Sequence, residues 1–170
     1  MESLKEKFNQ GQSFKEYLAT IKENKSLWEN NYHRYEVSPE TKKILSGIKQ
    51  KFYVLAIAED WCGDAVRNLP VMAKLVEALP DSELRIIRRD LNLDLMERYV
   101  MDGKKKIPTV VFLDSNFKEM AVWIEKPGNS PQLQEKFKNE PDGKERYLEA
   151  LKEEVTREVL DMLSTLTTGK

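Results

Sequence analysis

Cysteine and histidine are almost absent from this sequence of 170 residues, which contains one of each, Cys62 and His33. A single cysteine cannot form an internal disulfide, and one cysteine with one histidine cannot supply the ligands of a zinc cluster. The sequence therefore predicts no disulfide framework and no metal site. His33 lies in an aromatic stretch of the N-terminal part, and we assign it a structural role rather than a place beside Cys62.

Excess charge and long apolar runs are missing as well. The formal net charge is −1, so no overall field favours nucleic acid or an anionic membrane surface. No stretch approaches the roughly 20 apolar residues of a membrane-spanning helix, and the N-terminus has no apolar signal core. We therefore expect no nucleic-acid partner, no membrane association and a cytoplasmic location, where a lone thiol stays reduced. The sequence leaves the oligomeric state open.

What is present is typical of one folded domain, with 40% hydrophobic and 34% charged residues. Residues 1–50 have helical patterns, with a capping box at Ser13 and Glu16 and a second helix start at Ser38-Pro39. Residues 51–170 alternate between apolar runs and helical stripes. We predict a single structural domain in which the helical extension 1–50 packs on an α/β domain of residues 51–170.

Four apolar segments of the second part predict strands. The segment between the first and the second one has a helical pattern, and a long amphipathic stripe ends the chain. A strand–helix–strand unit requires a parallel crossover and a tight turn requires an antiparallel pair, so the sheet is mixed. The second strand has fewer apolar residues and is expected at an edge. The predicted strands are Phe52–Ala58, Leu84–Arg89, Val110–Leu113 and Met120–Ile124.

Cys62 lies at the junction between the first of these strands and a predicted helix. The first N–H groups of a helix lack partners and carry positive potential, which favours the thiolate form of a cysteine placed there. Glu59, Asp60 and Asp64 oppose this effect as negative neighbours, and Arg67 offsets part of it. The sequence leaves the direction of the net pKa shift open.

Several residues around this junction match a known pattern: Trp61-Cys62-Gly63 after an apolar strand, Pro70 inside the following helix, and Ile107-Pro108-Thr109 before another strand. Together they resemble the thioredoxin superfamily. The resemblance covers roughly residues 51–166 and implies a thioredoxin-like α/β fold with the N-terminal helices added to it. It also implies that Cys62 is the nucleophile, that Pro108 is a cis proline beside the sulfur, and that Ile107, Pro108 and Thr109 bind substrate.

The departures from that pattern bear on mechanism. The superfamily's second cysteine falls at Ala65, its usual proline at Asp64, and its buried acid at Ala56. Without a second sulfur, a mixed disulfide on Cys62 must be released by an external thiol. The resemblance thus implies monothiol exchange at a motif of Trp61, Cys62, Gly63, Asp64 and Ala65. The expected partner is a protein disulfide or a small-thiol mixed disulfide, and the only expected co-substrate is a low-molecular-weight thiol.

Two other functions remain open. A non-catalytic binding module would use the groove around Trp61 and Pro108 to hold a partner, and a redox sensor would respond to oxidation of Cys62. Similarly, Lys104, Lys105 and Lys106 form either a solvated basic turn or a docking point for an acidic thiol or partner, which Arg88 and Arg89 would extend.

Overall fold

A computed structural model describes residues 2–168 of the chain. That range contains eight α-helices and five strands, and two single turns of 3-10 helix, Arg89–Leu91 and Glu97–Tyr99, flank the sixth helix. The elements in chain order are α1 (Leu4–Gln10), β1 (Gln12–Ser13), α2 (Phe14–Thr20), α3 (Lys25–Arg34), α4 (Pro39–Ser46), β2 (Tyr53–Ala58), α5 (Gly63–Glu77), β3 (Glu83–Arg88), α6 (Leu93–Met96), β4 (Thr109–Leu113), β5 (Glu119–Ile124), α7 (Ser130–Phe137) and α8 (Gly143–Thr168).

The sheet has the strand order β1-β3-β2-β4-β5. Strands β2 and β3 are parallel, with Ala56 opposite Ile86, and α5 supplies the crossover between them. Strand β4 runs antiparallel to both β2 and β5. The predicted mixed sheet is confirmed, and β3 lies on one side of β2 while β4 and β5 lie on the other.

The predicted number of strands was wrong by one. Gln12 and Ser13 form the short strand β1, which pairs antiparallel with Ile86 and Arg85 of β3. Strand β3 is therefore not at the edge of the sheet, in contrast to the prediction. Two residues are too few to show the alternation that identifies a strand in a sequence.

Helix starts follow the capping signals of the sequence. The Ser13 hydroxyl accepts a hydrogen bond from the Glu16 amide at 3.1 Å, and the Glu16 carboxylate accepts one from the Ser13 amide at 3.4 Å. Ser38 caps α4 through the Thr41 amide at 3.1 Å, with Pro39 in the first turn. A side-chain acceptor at these positions satisfies a free amide of the first turn, which is why both starts were predictable.

Both faces of the sheet are covered, and β2 contributes to both. Val54, Ala56 and Ala58 belong to the core under α2, α3, α5 and α8, whereas Leu55 and Ile57 belong to the core under α1 and α6. Alternate residues of a strand point to opposite faces, so a strand covered on both sides is apolar throughout. This explains the continuous apolar run before Cys62.

The N-terminal helices are tied to the rest of the chain by buried polar contacts. The Lys7 ammonium, in a residue only 4% exposed, donates to Asn92 Oδ1 at 2.9 Å and to Asp94 Oδ1 at 3.1 Å. These contacts fasten α1 to the segment that follows β3. The division into an extension of residues 1–50 and a domain of residues 51–170 stays a prediction.

The helices have no membrane-spanning character. Across residues 2–168, none combines the length and the apolar composition that a transmembrane helix requires.

Candidate active site

The turn from β2 to α5 places Cys62 at the N-cap of α5. The Cys62 amide donates to the Glu59 carbonyl oxygen at 3.2 Å, and the Cys62 carbonyl accepts from the Val66 amide at 3.0 Å. Strand β2 is central and buried, so it fixes the start of this turn, and α5 fixes its end. The thiol is thus held at the first amides of a 15-residue helix.

The Cys62 thiol is half-buried and faces the loop before β4. Its Sγ atom donates a hydrogen bond to the Ile107 carbonyl oxygen at 3.5 Å. The peptide bond between Ile107 and Pro108 is cis. The structure therefore brings Cys62 together with the Ile107-Pro108 segment, 45 residues further along the chain.

Burial raises the pKa of the Cys62 thiol above its ordinary value. The amides of Ala65 and Asp64 work against this shift, as does the Arg67 guanidinium, whereas the Asp64 carboxylate adds to it. Removal of water thus outweighs the favourable potential of the helix N-terminus. This result settles the direction that the sequence left open.

The remaining residues of the motif have distinct surroundings. Gly63 is exposed, and the Asp64 carboxylate pairs with Arg67 at 2.9 Å. Ala65 is fully buried one turn beyond Cys62. The position that carries the second cysteine in the superfamily pattern therefore holds a methyl group in the core.

The sequence suggested Glu59 and Asp60 as negative neighbours of Cys62. In the structure their carboxylates accept hydrogen bonds from other parts of the chain. The Glu59 carboxylate accepts from Arg88 at 3.2 Å, and Asp60 Oδ2 accepts from the amides of Lys22 at 3.1 Å and Glu23 at 3.2 Å. Both side chains are buried, at 3% and 4% exposure. Of the acids near the turn, Asp64 adds to the raised pKa of Cys62.

Arg89 links Trp61 to the basic loop formed by Lys104, Lys105 and Lys106. The Trp61 side chain is 49% exposed, and the Arg89 guanidinium lies 5.1 Å from its ring centroid. Arg89 also donates to the Lys105 carbonyl oxygen at 3.4 Å, which links Trp61 to the loop before Ile107. Arg89 therefore contacts this loop, whereas Arg88 pairs with Glu59 and Asp60.

Thr109 is hydrogen-bonded to the loop before β4. The residue is fully buried, and its hydroxyl donates to the Lys106 carbonyl oxygen at 2.8 Å. His33 is exposed on α3 and packs edge-on against Tyr32.

Asn68 is a residue of this region that the sequence analysis did not identify. It is 1% exposed, and its amide donates to the Glu125 carbonyl oxygen at 3.1 Å. The Glu125 amide in turn donates to the Pro108 carbonyl oxygen at 2.7 Å. These bonds connect helix α5, the end of β5 and the Pro108 loop. No local sequence pattern indicated that Asn68, on an otherwise apolar helix face, would make this connection.

Tyr17 of α2 also lies in this neighbourhood. Its hydroxyl is buried and has no hydrogen-bond partner within residues 2–168. Burial raises its pKa, Arg88 opposes that shift, and the charges of Asp60, Glu59 and Cys62 add to it. No sequence signal indicated which groups surround the Tyr17 hydroxyl.

Within the described part of the chain, no group of three or more histidine, cysteine, aspartate or glutamate side chains could hold a metal ion.

Comparison with known proteins agrees with this geometry. The family model described as Thioredoxin matches residues 11–139 of the chain. The chain belongs to the thioredoxin family. The expectation drawn from the Trp61-Cys62-Gly63 motif, Pro70 and the Ile107-Pro108-Thr109 loop is thus confirmed at the level of family and fold.

Two solved structures share the fold over nearly the whole chain. A protein of unknown function from Pseudomonas aeruginosa is 20% identical, with a TM-score of 0.79 and coverage of 97% of this chain and 99% of that protein. An HIV epitope-scaffold is 20% identical, with a TM-score of 0.77 and coverage of 96% and 99%. Among curated proteins, no match was found.

The site of this thioredoxin-family chain holds a single sulfur. It presents one sulfur beside a backbone carbonyl and a cis proline, and Cys62 is the chain's only cysteine. The chain therefore has no second sulfur that could resolve a mixed disulfide on Cys62.

Proposed function

We propose that this protein carries out monothiol thiol–disulfide exchange through Cys62. The observation that carries the proposal is the placement of the sole sulfur at the N-terminus of α5, 3.5 Å from the Ile107 carbonyl oxygen and next to the cis Pro108 bond. Membership of the thioredoxin family supports the same chemistry.

The first step transfers a substrate sulfur to the protein. The Cys62 thiol loses its proton to solvent, and the thiolate attacks one sulfur of a substrate disulfide. A new S–S bond forms to Cys62 and the substrate S–S bond breaks, so the leaving sulfur takes the electron pair and then a proton. Cys62 is oxidised to a mixed disulfide and the leaving thiol is reduced.

The second step requires a thiol from outside the chain, because Ala65 supplies no sulfur. A low-molecular-weight thiolate attacks the substrate sulfur of the mixed disulfide and forms a new S–S bond with it. The S–S bond to Cys62 breaks, so Cys62 leaves with the electron pair and regains a proton, and the substrate departs as a disulfide with the small thiol. A thiol with a raised pKa leaves slowly. The mixed disulfide on Cys62 is therefore long-lived, which suits the capture of a protein disulfide or a small-thiol adduct.

This chemistry also fits a compartment that maintains a pool of reduced small thiols, of which the cytoplasm is the main example. The exchange needs no resident cofactor, because the external thiol provides the electrons.

Intact-mass measurement tests the proposal. The full chain is incubated with oxidised glutathione at pH 8, and we expect one added glutathionyl group that dithiothreitol removes. The Cys62→Ser variant is the control and should gain no mass. Absence of an adduct after hours at millimolar disulfide would contradict the proposal.

A second function is favoured by one observation. Burial raises the pKa of Cys62, so the resting thiol is less reactive than the helix N-terminus alone would make it. A thioredoxin-fold binding module that uses the same groove non-covalently does not need a reactive thiol. Such a module would retain its partner in the Cys62→Ser variant, whereas an exchange protein would lose the covalent complex.

A further inference from the structure

The hydroxyl of Tyr17 is a buried polar group that forms no hydrogen bond. Tyr17 is 1% exposed, and its oxygen has no partner within residues 2–168. By contrast, the hydroxyls of Tyr35 and Tyr99 bond to Thr156 and Glu119, each at 2.7 Å. A hydroxyl that leaves water and gains no bond lowers the stability of the fold, so its retention needs an explanation, such as a role in the chemistry of a nearby site.

Tyr17 lies beside the turn that carries Cys62. Its ring packs edge-on against the Trp28 ring, with 5.3 Å between the centroids, and the Trp28 indole donates to the Asp60 carbonyl oxygen at 3.0 Å. Asp60 is two residues before Cys62. Tyr17 and Trp28 belong to one core cluster, and Cys62 packs against the same cluster. The core under α2 and α3 therefore brings the Tyr17 side chain to the buried side of the active-site turn.

Four charged or ionisable groups act on the Tyr17 hydroxyl, namely Arg88, Asp60, Glu59 and Cys62. Arg88 is a donor and cannot accept a hydrogen bond. The carboxylates of Glu59 and Asp60 accept bonds from Arg88 and from backbone amides, and neither accepts one from Tyr17. Cys62 in its thiolate form is the acceptor among the four that these bonds leave open.

The Cys62 thiolate is costly to form and gains from a further donor. The resting thiol donates to the Ile107 carbonyl oxygen at 3.5 Å, and the same carbonyl repels a thiolate. Burial raises the pKa of Cys62, and the amides of Ala65 and Asp64 and the Arg67 guanidinium offset only part of this shift. A protonated hydroxyl on the buried side would offset more of it, because a hydrogen bond to the charged form of a group favours that form.

We propose that the Tyr17 hydroxyl stabilises the Cys62 thiolate as a hydrogen-bond donor on its buried side. The hydroxyl has no other bond to break, so its O–H can rotate toward the sulfur as negative charge develops there. Burial raises the pKa of Tyr17 above its ordinary value, so the group stays protonated where Cys62 ionises. The inference rests on the proposed function for its use, since Cys62 is a thiolate both when it attacks and when it leaves. The effect on the thiolate can be measured without a disulfide.

Tyr17→Phe in the full chain tests the inference, because it removes the hydroxyl and keeps the ring. The rate of iodoacetamide modification of Cys62 is measured from pH 7 to 10. Its midpoint should rise by about half a pH unit to one unit, so that the rate at pH 8 falls by about three- to tenfold. The urea midpoint of unfolding should not fall, because the lost hydroxyl had no partner.

Tyr35→Phe is the matched control and should give the opposite pattern. The Tyr35 hydroxyl is bonded to the Thr156 hydroxyl of α8, so its loss should lower the urea midpoint and leave the alkylation of Cys62 unchanged. A third chain carries 3-fluorotyrosine at position 17, which has nearly the same shape as tyrosine and is a stronger hydrogen-bond donor. Its alkylation midpoint should lie below that of the native chain, a change that a purely structural role of Tyr17 does not predict.

An unchanged alkylation midpoint in Tyr17→Phe would overturn the inference, and so would equal shifts in Tyr17→Phe and Tyr35→Phe. If Tyr17→Phe does not fold, the fluorotyrosine chain decides, and a midpoint that is not lowered overturns the inference. The glutathione mass assay on the same samples separates the two proposals. Adduct formation with unchanged alkylation in Tyr17→Phe would contradict only the role of Tyr17. Slower alkylation in that variant, without an adduct on the native chain, would contradict only the proposed function.

Discussion

The Cys62 sulfur lies 3.5 Å from the Ile107 carbonyl oxygen and donates a hydrogen bond to it. This contact favours the protonated thiol, because a carbonyl oxygen accepts from S–H but repels a thiolate. Burial of the same sulfur acts in the same direction and raises its pKa. The resting site is therefore a thiol that ionises above the ordinary range of cysteine.

The first prediction concerns the pH dependence of alkylation. The rate of iodoacetamide modification of Cys62 should rise with a midpoint above the value of about 8.5 that is ordinary for a free cysteine. Asp64→Asn should lower the midpoint because it removes a carboxylate that raises the pKa of Cys62, and Arg67→Gln should raise it. Intact-mass analysis of samples quenched at successive times measures the rates. Shifts of the two variants in the same direction would contradict this account of the site.

The second prediction concerns Ala65. The residue lies three positions after Cys62 at the start of α5, and residues three apart on a helix are neighbours. Ala65→Cys should therefore form an internal disulfide with Cys62 under oxidation and gain dithiol reductase activity. The measurements are the loss of two hydrogens by intact mass and the loss of both free thiols.

Asp64→Cys is the control for that experiment. It places a second thiol two residues from Cys62, and residues two apart on a helix do not face each other. The variant should retain both thiols under the same mild oxidation. An internal disulfide in Asp64→Cys but not in Ala65→Cys would show that the geometry assigned to Ala65 is wrong.

Much of the fold was predictable because its signals are local. Capping by Ser13 and Ser38 and the uninterrupted apolar run of β2 each depend on residues within a few positions of one another. The edge position of β3 was predicted wrongly because β1 is only two residues long and is paired through tertiary contact. A strand of two residues is too short to show the alternation of apolar and polar residues that identifies a strand in a sequence.

The candidate site divides in the same way. The position of Cys62 at a helix start follows from the order of strand and helix. The orientations of the Glu59 and Asp60 side chains cannot be predicted in this way. They depend on Arg88 and on the amides of Lys22 and Glu23, which come from distant parts of the chain. The balance between burial and helix potential at Cys62 likewise depends on packing that no local pattern encodes.

The third prediction concerns the buried ammonium of Lys7. Lys7→Ala should lower the free energy of unfolding by roughly 2 kcal/mol, because the buried Asn92 side chain loses a charged donor. Lys5→Ala on the same helix is exposed and should change it by less than about 0.5 kcal/mol. Urea unfolding at pH 7 measures both. Equal effects of the two substitutions would contradict the proposed anchoring of α1.

The same anchor predicts a dependence on pH. The hydrogen bond from Lys7 lowers the pKa of Asp94 below its usual value. A lowered carboxyl pKa contributes stability above the unfolded pKa of about 3.9, and the contribution is lost as pH falls through the lower folded pKa. The stability difference between the native chain and Lys7→Ala should therefore be constant from pH 6 to 8 and shrink below about pH 4.

The fourth prediction concerns Asp60, which joins the turn before Cys62 to the start of α3. Burial alone would raise the pKa of Asp60, but hydrogen bonds from the amides of Lys22 and Glu23, together with Arg88, lower it overall. Asp60→Ala should destabilise the chain by roughly 2 kcal/mol, because these charge-assisted bonds are lost. Trp28 should stay in place, since its indole donates to the backbone oxygen of Asp60 and not to the carboxylate.

The loss should therefore be local, and hydrogen exchange can detect it. In Asp60→Ala the amides of Lys22 and Glu23 should exchange faster, and trypsin should cleave after Lys22 more readily, while amides in β2 change only as far as global stability changes. Asp161→Ala, in an exposed residue of α8, is the control and should alter neither measurement. Unchanged exchange at Lys22 and Glu23 in Asp60→Ala would mean that other contacts hold the N-terminal helices against the active-site turn.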